Sequence, residues 1–468
     1  MHNLVRKHRW FFLGTTLASL ALRLFFFFHL PVITDDSRVY GDLAANWLQH
    51  GIYGETQAGA IVPTDARLPG YPAFLAVIFL LFGAGNFKAA LLAQLALDLL
   101  GCAVLADLAR RTLSERAARN AFLLACLCPF LANYSAAALT ETLEIFFTVL
   151  ALDWAAAGLN RWRTDSPGGG WWTAWAGSGA AIGACILLRP DGGILLAGMG
   201  LYLLFLLGKR WRARRNWIPV LKAATVVGLC ALAPLLPWTI RNFHTLHHFQ
   251  PLAPRYANEQ DELVLRGFNR WVKTWMAEYT SVEEVYWKVP GDPLDPAKLP
   301  NRAFDSPSQR ETTLAAIADY NQSTAMTMDL DARFGQLAAE RIREHPLRYY
   351  LALPLLRIAD MWLRPRAEIL PPDPRWWEFD DVPSSLLMTV GLGLVNLAYV
   401  AAACWALLWR RSHARYLGLL LLFLVLRSAF LGSLENPESR YTLECYPVII
   451  VLAAALWERR PRGEQPAA

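Results

Sequence analysis

The sequence predicts an all-α polytopic membrane protein, and three observations carry the prediction. Hydrophobic residues make up 55% of the 468 residues and charged residues only 18%, with mean hydropathy +0.25. Soluble domains carry roughly 25% charge. Second, apolar stretches of the length a bilayer requires, about 20 residues, recur along the chain. Third, basic residues gather at alternate connections between those stretches. Together these exclude a disordered chain and weigh against a soluble enzyme. The 19 Trp and 15 Tyr suit two interfacial aromatic belts. The seven cysteines lie almost all within apolar runs, without a CxxC pair, and read as small hydrophobes.

The expected spans are 10–30, 87–109, 120–139, 142–159, 171–188, 192–208, 218–238, 386–409, 416–433 and 442–457. Arg6-Lys7-His8-Arg9 before the first span also suits a signal peptide. The run to Leu30 is long enough to cross, and no small-x-small cleavage site follows, so it reads as a retained helix. Its flanking charge places the N-terminus in the cytoplasm. Every second connection is then basic: Arg110, Arg111, Arg116 and Arg119; Arg161 and Arg163; Lys209, Arg210, Arg212, Arg214 and Arg215; Arg410, Arg411 and Arg415; and finally Arg459, Arg460 and Arg462. The alternation holds only if two further apolar stretches, 71–83 and 347–363, do not cross, so both read as interfacial helices on the outer side. The chain thus divides into an N-terminal transmembrane catalytic module, 1–238, with a first outer loop at 31–86. An outer-face region follows at 239–385, and the C-terminal helices and tail at 386–468. Within the outer region 309–345 reads as helical, and no separate soluble domain with its own core is evident.

Candidate chemistry collects on the outer side. Asp35-Asp36-Ser37-Arg38-Val39-Tyr40 opens the first loop, and a helix over 37–49 puts Asp36 near its N-cap. Asp36 therefore reads either as a helix cap or as a general base able to deprotonate a hydroxyl. Arg67-Leu68-Pro69-Gly70-Tyr71-Pro72 sets a cation before a turn, as a phosphate ligand or as a snorkelling interfacial arginine. Glu141, in Leu139-Thr140-Glu141-Thr142, starts the fourth span, where an acid suits the helix dipole. On the same side as Asp36, the two carboxylates can also share a proton or a metal. Arg189 in Leu188-Arg189-Pro190-Asp191, Arg241 in Pro237-Trp238-Thr239-Ile240-Arg241-Asn242, and Arg440 in Glu435-Asn436-Pro437-Glu438-Ser439-Arg440-Tyr441 stand at outer helix ends. Arginine there needs a partner. An anionic ligand fits, and so do Asp191, Glu435 and Glu438. His244, His247 and His248 have a spacing that can hold a metal, but the motif contains no acid and no metal is assigned. Asp98, Asp107 and Asp153 read as caps or ion-pair partners, and Arg23 and Arg427 as buried partners or snorkelers.

Taken in order, five fragments resemble the GT-C superfamily of polytopic glycosyltransferases. The likeness is strongest to the branch of protein O-mannosyltransferases and lipid A aminoarabinose transferases. The fragments are Asp36-x-x-x-Tyr40 with LAANWLQHGIYG, Arg67-x-PGYP, LTETLEIFF around Glu141, PWTIRN at 237–242, and ESRY at 438–441 with Pro447 beyond. The resemblance implies a GT-C-like bundle of about 10 transmembrane helices with juxtamembrane helices in the outer loops. It implies an outer-face site, a polyprenyl-phosphate-linked sugar donor, and inverting transfer to an acceptor hydroxyl. It makes Asp36 the base, with Glu141 the acid at the fourth span and Asp35 a possible sharer of the role, since many relatives have Asp-Glu where this chain has Asp36-Ser37. Arg67 and Arg440 fall to the donor phosphate, joined by Arg189 and Arg241, with Tyr40, Tyr71, Tyr441 and Glu438 lining the substrate pocket. The acceptor is a lipid, a polysaccharide or a protein. Nucleic acid has no place, no cofactor is firmly implied, and a divalent cation is the one ion that carboxylates alone would bind. A bacterial inner membrane fits the short basic terminus. The rival class is a transporter or flippase of lipid-linked sugars, but transporters often carry repeats and broken helices at the midplane, and here the acids cluster at outer ends.

Overall fold

The computed structural model describes residues 1–163, 170–258, 262–378, 382–410 and 414–457. The expected basic residues Arg411, Arg459, Arg460 and Arg462 lie outside them. Two units emerge: Met1–Ala257 with Ala398–Leu424 and Leu443–Ala468, and Asn258–Leu397 with Val425–Thr442.

In the first unit the chain runs through α1 (His2–Lys7), α2 (Arg9–His29) and α3 (Asp35–His50), then a hairpin of β1 (Gly54–Gln57) and β2 (Ala60–Pro63). It continues through α4 (Gly70–Phe82), α5 (Phe87–Thr112), α6 (Glu115–Cys126), α7 (Pro129–Ser135), α8 (Glu141–Arg163), α9 (Trp171–Leu188), α10 (Gly193–Arg212), α11 (Ile218–Leu232) and α12 (Leu235–Leu246). The second unit holds α13 (Arg266–Lys273), α14 (Tyr279–Ser281), α15 (Pro307–Asn321), α16 (Met328–Glu344) and α17 (Leu353–Leu363). Helices α18 (Pro383–Arg410) and α19 (Leu417–Gly432) run from one unit into the other, and α20 (Tyr446–Ala454) returns to the first.

The chain is a multi-pass membrane protein. Among the described residues eight helices are long and apolar enough to cross: Arg9–His29, Phe87–Thr112, Glu141–Trp162, Trp171–Leu188, Pro190–Arg212, Ile218–Leu246, Pro383–Trp409 and Ser439–Trp457. Leu417–Gly432, where a span is expected at 416–433, is apolar but shorter. The expected span 120–139 is not one helix. Cys128 is extended before Pro129, because proline disfavours the helical conformation in the residue before it, and the stretch divides into α6 and α7. The 71–83 stretch forms α4, also short of a full span.

Apolar helices fold here with their charges paired. Arg23, fully buried in α2, meets Asp98 of α5 at 2.5 Å and donates to the Cys126 carbonyl at 2.8 Å. At the other end of α5, Arg111 bridges Asp107 (2.6 Å) and Asp153 of α8 (2.8 Å). Helices α5, α8 and α9 pack in series, and α20 packs on α5, α6 and α8 with nearly all its side chains buried.

The second unit corrects two expectations. The 309–345 stretch is two helices, α15 and α16, interrupted at 322–327, where Thr327 accepts from the Leu330 amide and starts α16. This unit also has a core of its own. Phe268, Trp271 and Trp275 from α13 and its exit interlock with Ile317 and Tyr320 of α15 and with Phe334 of α16. Arg341, buried on α16, ties the rim of that core together through Thr274 (2.8 Å), Gln309 (2.6 Å), the Ala303 carbonyl (2.8 Å) and Asp305 (3.2 Å). The periodicity of α13 alone was too short to reveal this core, which assembles from separate segments.

Trp271→Ala empties the centre of that core and is expected to cost about 3–5 kcal/mol. Leu347→Ala, at a position 76% exposed, is expected to change stability little. Thermal unfolding of the two variants in detergent, followed by tryptophan fluorescence, checks this; equal transitions would contradict the core.

Candidate functional site

The site grows from the N-terminus of α3. Thr34, not Asp36, is the N-cap. Its hydroxyl accepts from the Ser37 amide at 3.3 Å, and the Thr34 amide donates to Ser37 Oγ at 3.0 Å, a capping box. The two aspartates are thereby released from capping and sit in the first turn, where the helix dipole favours negative charge. They part company there. Asp35 is almost fully exposed and pairs with Arg38 at 2.7 Å. Asp36 is 40% exposed and faces Arg67 Nη2 at 3.3 Å.

Tyr40 stands one turn beyond Asp36, on the same helical face, with its ring edge on Tyr71 at 5.1 Å. Burial pushes its phenol up to about 12, with Asp36 adding to the rise, Arg67 and Arg189 opposing it and Glu141 again adding. Tyr40 is thus where the Asp36–Arg67 pair and the Arg189–Glu141 group meet. Tyr71 lies behind it, fully buried, and donates to Gln94 Oε1 at 2.6 Å. Gln94 in turn donates to the Ala137 carbonyl at 2.7 Å.

Arg189 leaves the end of α9 in extended conformation and faces Asp191 (3.2 Å), Glu144 (3.7 Å) and Glu141 (3.9 Å). Glu144 is one turn from Glu141 on α8. Glu444, which leads into α20, is the carboxylate neighbour of Glu144. Glu141, Glu144 and Glu444 are all buried. The sequence reading found Glu141 and missed the other two. An i,i+3 acid on one helix face and an acid inside an apolar span were the signals available.

Arg241 is committed to backbone. It donates to the Thr64 carbonyl (2.7 Å) and the Tyr53 carbonyl, with Asn242 Oδ1 at 3.0 Å, and lies against the Tyr53 and Trp238 rings. Its place is the wall of a cavity of about 620 Å³, lined chiefly by Trp47, Tyr53, Pro69, Gly70, Pro237 and Trp238. Gly70 allows that wall to close, since a Cβ there would come within 2.6 Å of the Leu187 carbonyl oxygen. Of the histidines, His248 pairs with Asp65 at 2.7 Å. The triad Asp305, Glu344 and His345 comes close enough to hold a metal. Yet Arg348 grips both oxygens of Asp305 at 2.7 and 2.6 Å, with Arg341 at 3.2 Å, and those cations oppose a further one.

Glu438, Arg440 and Tyr441 belong to the second unit. Glu438 is buried and accepts from Tyr441 at 2.7 Å, while Arg440 Nε pairs with its other oxygen at 2.6 Å. Arg427, placed by sequence as a buried partner or a snorkeler, donates to the Tyr441 carbonyl at 3.0 Å.

Residues 64–238 match the family described as dolichyl-phosphate-mannose-protein mannosyltransferase. No characterised protein sequence matches the chain. The chain is similar to the Archaeoglobus fulgidus oligosaccharyltransferase tethered with an acceptor peptide, with TM-score 0.52 and 14% identity over 95% of this chain and 49% of that one. It is also similar to AglB of the same organism in complex with an inhibitory peptide and a dolichol-phosphate, with TM-score 0.51 and 14% identity over 96% and 50%. ArnT from Cupriavidus metallidurans in the apo state gives TM-score 0.39 at 16% identity over 95% and 78%. The chain spans about half the length of the oligosaccharyltransferase chains it matches.

Arg189→Ala leaves Glu141 and Glu144 buried without that cation. Breaking such a pairing from one side costs about 3–5 kcal/mol, and adding Glu144→Gln is expected to restore part of it. Thermal unfolding of the single and double variants checks this; a neutral Arg189→Ala would show that the acids are satisfied elsewhere.

Proposed function

The chain has the fold of the GT-C membrane glycosyltransferases, and from that premise we propose that it moves a sugar from a polyprenyl-phosphate donor to an acceptor hydroxyl with inversion. The observation that carries the reading is the Asp36–Arg67 pair: a partly exposed carboxylate and a guanidinium 3.3 Å apart at one loop–helix junction. Such a pair has both parts the reaction needs. The donor phosphate is the better anion for the guanidinium, because arginine forks match phosphate oxygens. Its arrival draws Arg67 away from Asp36 and leaves the carboxylate free to act as a base.

In the step that follows, Asp36 takes the proton of the acceptor hydroxyl. The hydroxyl oxygen bonds to the anomeric carbon from the face opposite the phosphate. The carbon–oxygen bond to the phosphate breaks, and polyprenyl phosphate leaves with the bonding electrons. The leaving group needs its charge stabilised more than it needs a proton, which is electrostatic work for Arg67. Arg189 shares its charge among Glu141, Glu144 and Asp191, so in this reading it orients the pocket around Tyr40 and the phosphate falls chiefly to Arg67. Asp35, exposed and paired with Arg38, takes no part. The cavity beside Pro69 and Gly70, apolar and aromatic in its lining, suits the first isoprene units of the carrier. AglB has been solved with a dolichol-phosphate, a ligand of this chemical class. We place the site on the outer face of the membrane, with the N-terminus in the cytoplasm, from the alternation of basic connections.

Asp36→Asn is expected to keep the fold and lower transfer by roughly 10²–10⁴-fold, the share of a positioned general base, while Asp35→Asn stays close to wild type. Release of polyprenyl phosphate from a panel of radiolabelled polyprenyl-phosphate sugars measures both. Full activity in Asp36→Asn would remove that residue from the chemistry. Donor binding without release in any variant would favour a flippase.

A further inference from the structure

The loop that delivers Arg67 has no regular structure, yet Thr64, Asp65 and Ala66 are at most 3% exposed. A buried loop must find partners for its polar groups, since water is not at hand. Here they come chiefly from two places. Tyr53 supplies its carbonyl to the Thr64 amide (3.3 Å) and its hydroxyl to the Arg67 carbonyl (3.0 Å). The end of α12 supplies two more: Arg241 binds the Thr64 carbonyl at 2.7 Å, and His248 binds the Asp65 carboxylate at 2.7 Å, while the Ala66 amide turns to Thr64 Oγ1 within the loop at 2.9 Å.

His248 is placed between two acceptors. Its Nε2 faces Asp65 and its Nδ1 faces the Leu246 carbonyl at 3.1 Å. A neutral imidazole has one N–H and can serve only one of them; the imidazolium serves both. Asp65 is the charged group against the ring, and Arg241 faces Asp65 in turn.

We propose that Asp65 and His248 are positioning residues that clamp the 64–67 segment to the end of α12 and so hold Arg67 against Asp36. The proposal rests on the reading of Arg67 as the donor-phosphate ligand. It assigns a task to the histidine motif that the metal reading left without one. It also explains a buried aspartate that would otherwise be costly to desolvate.

The clamp makes donor affinity depend on pH in one direction. Burial works against the charge on His248, but the Leu246 carbonyl and Asp65 outweigh it and raise its pKa above the ordinary 6.5. The hold is therefore complete below about 6.5 and is lost as pH rises through the raised value. Above it, the neutral ring gives up one of its two bonds, and Arg67 loses its fixed approach.

The test is binding of polyprenyl phosphate alone, by calorimetry, to the full-length protein in detergent. Wild type is compared with His248→Ala, His248→Arg, Arg67→Ala and the double variant His248→Ala/Arg67→Ala. Losing a charge-assisted hydrogen bond is expected to weaken binding about tenfold, with no further loss when Arg67 is already gone. His248→Arg, charged throughout, should keep wild-type affinity and flatten the alkaline fall. Additive losses in the double variant, or a fall with pH that His248→Ala leaves unchanged, would overturn the proposal. The second measurement is NMR titration of His248 in wild type and Asp65→Asn, which needs no ligand. A lower pKa in Asp65→Asn supports the clamp, and an unchanged one overturns it. If polyprenyl phosphate binds none of the proteins, the donor reading fails while the titration still decides the clamp.

Discussion

An ion moved out of water loses several kcal/mol of hydration, and only a well-placed opposite charge and good hydrogen bonds return it. In a chain built mostly of apolar helices this constraint governs where every charge can go. Arg23 and Asp98 meet where α2 crosses α5. Arg111 joins α5 to α8 through Asp153. Arg341 closes the rim of the second unit's core. Arg189 gathers acids from α8 and from its own turn. These contacts are conditions under which the charges can be present at all, and they fix which helices lie side by side.

The same constraint separates arginines that hold structure from one that can hold a ligand. Arg241 has turned its donors to backbone carbonyls and its face to two aromatic rings. Arg189 is outnumbered by carboxylates. Among the described residues the ion pair of Arg67 is with Asp36, at a longer distance than a tight bidentate pair, and that acid is partly open to water. An incoming anion meets least competition there.

Much of this was legible in the sequence, and the rest was hidden for physical reasons. Spans show because their signal is local: a run of apolar residues at the right length, with arginines where they stop. The break before Pro129 was also local, but the hydropathy of 120–139 masks it, since an apolar residue scores alike in a straight helix and at a break. Asp36 and Arg67 stood out as a carboxylate and a cation on the same side, and they do pair. Glu444 did not, because its partner Glu144 lies far along the chain and neither residue carries a mark of the other. Asp65 reads in sequence like any loop aspartate exposed to solvent, and only folding shows it to be buried. The core around Trp271 escaped for a related reason: its residues belong to short segments, each too polar or too brief to announce a hydrophobic face.

The interruption between α6 and α7 has a corollary for how the chain can change. Where α6 stops, the Cys126 carbonyl has no amide one turn ahead in a continuing helix, and Arg23 takes it, at the negative end of the helix dipole. The proline and the arginine are therefore not independent. A lineage that straightened the helix by losing Pro129 would leave Arg23 short of an acceptor deep in an apolar layer. One that lost Arg23 would leave both Asp98 and the helix end buried without that cation. Drift at either position is expected to be passable only in step with the other, so these two sites, distant in sequence, form one heritable unit.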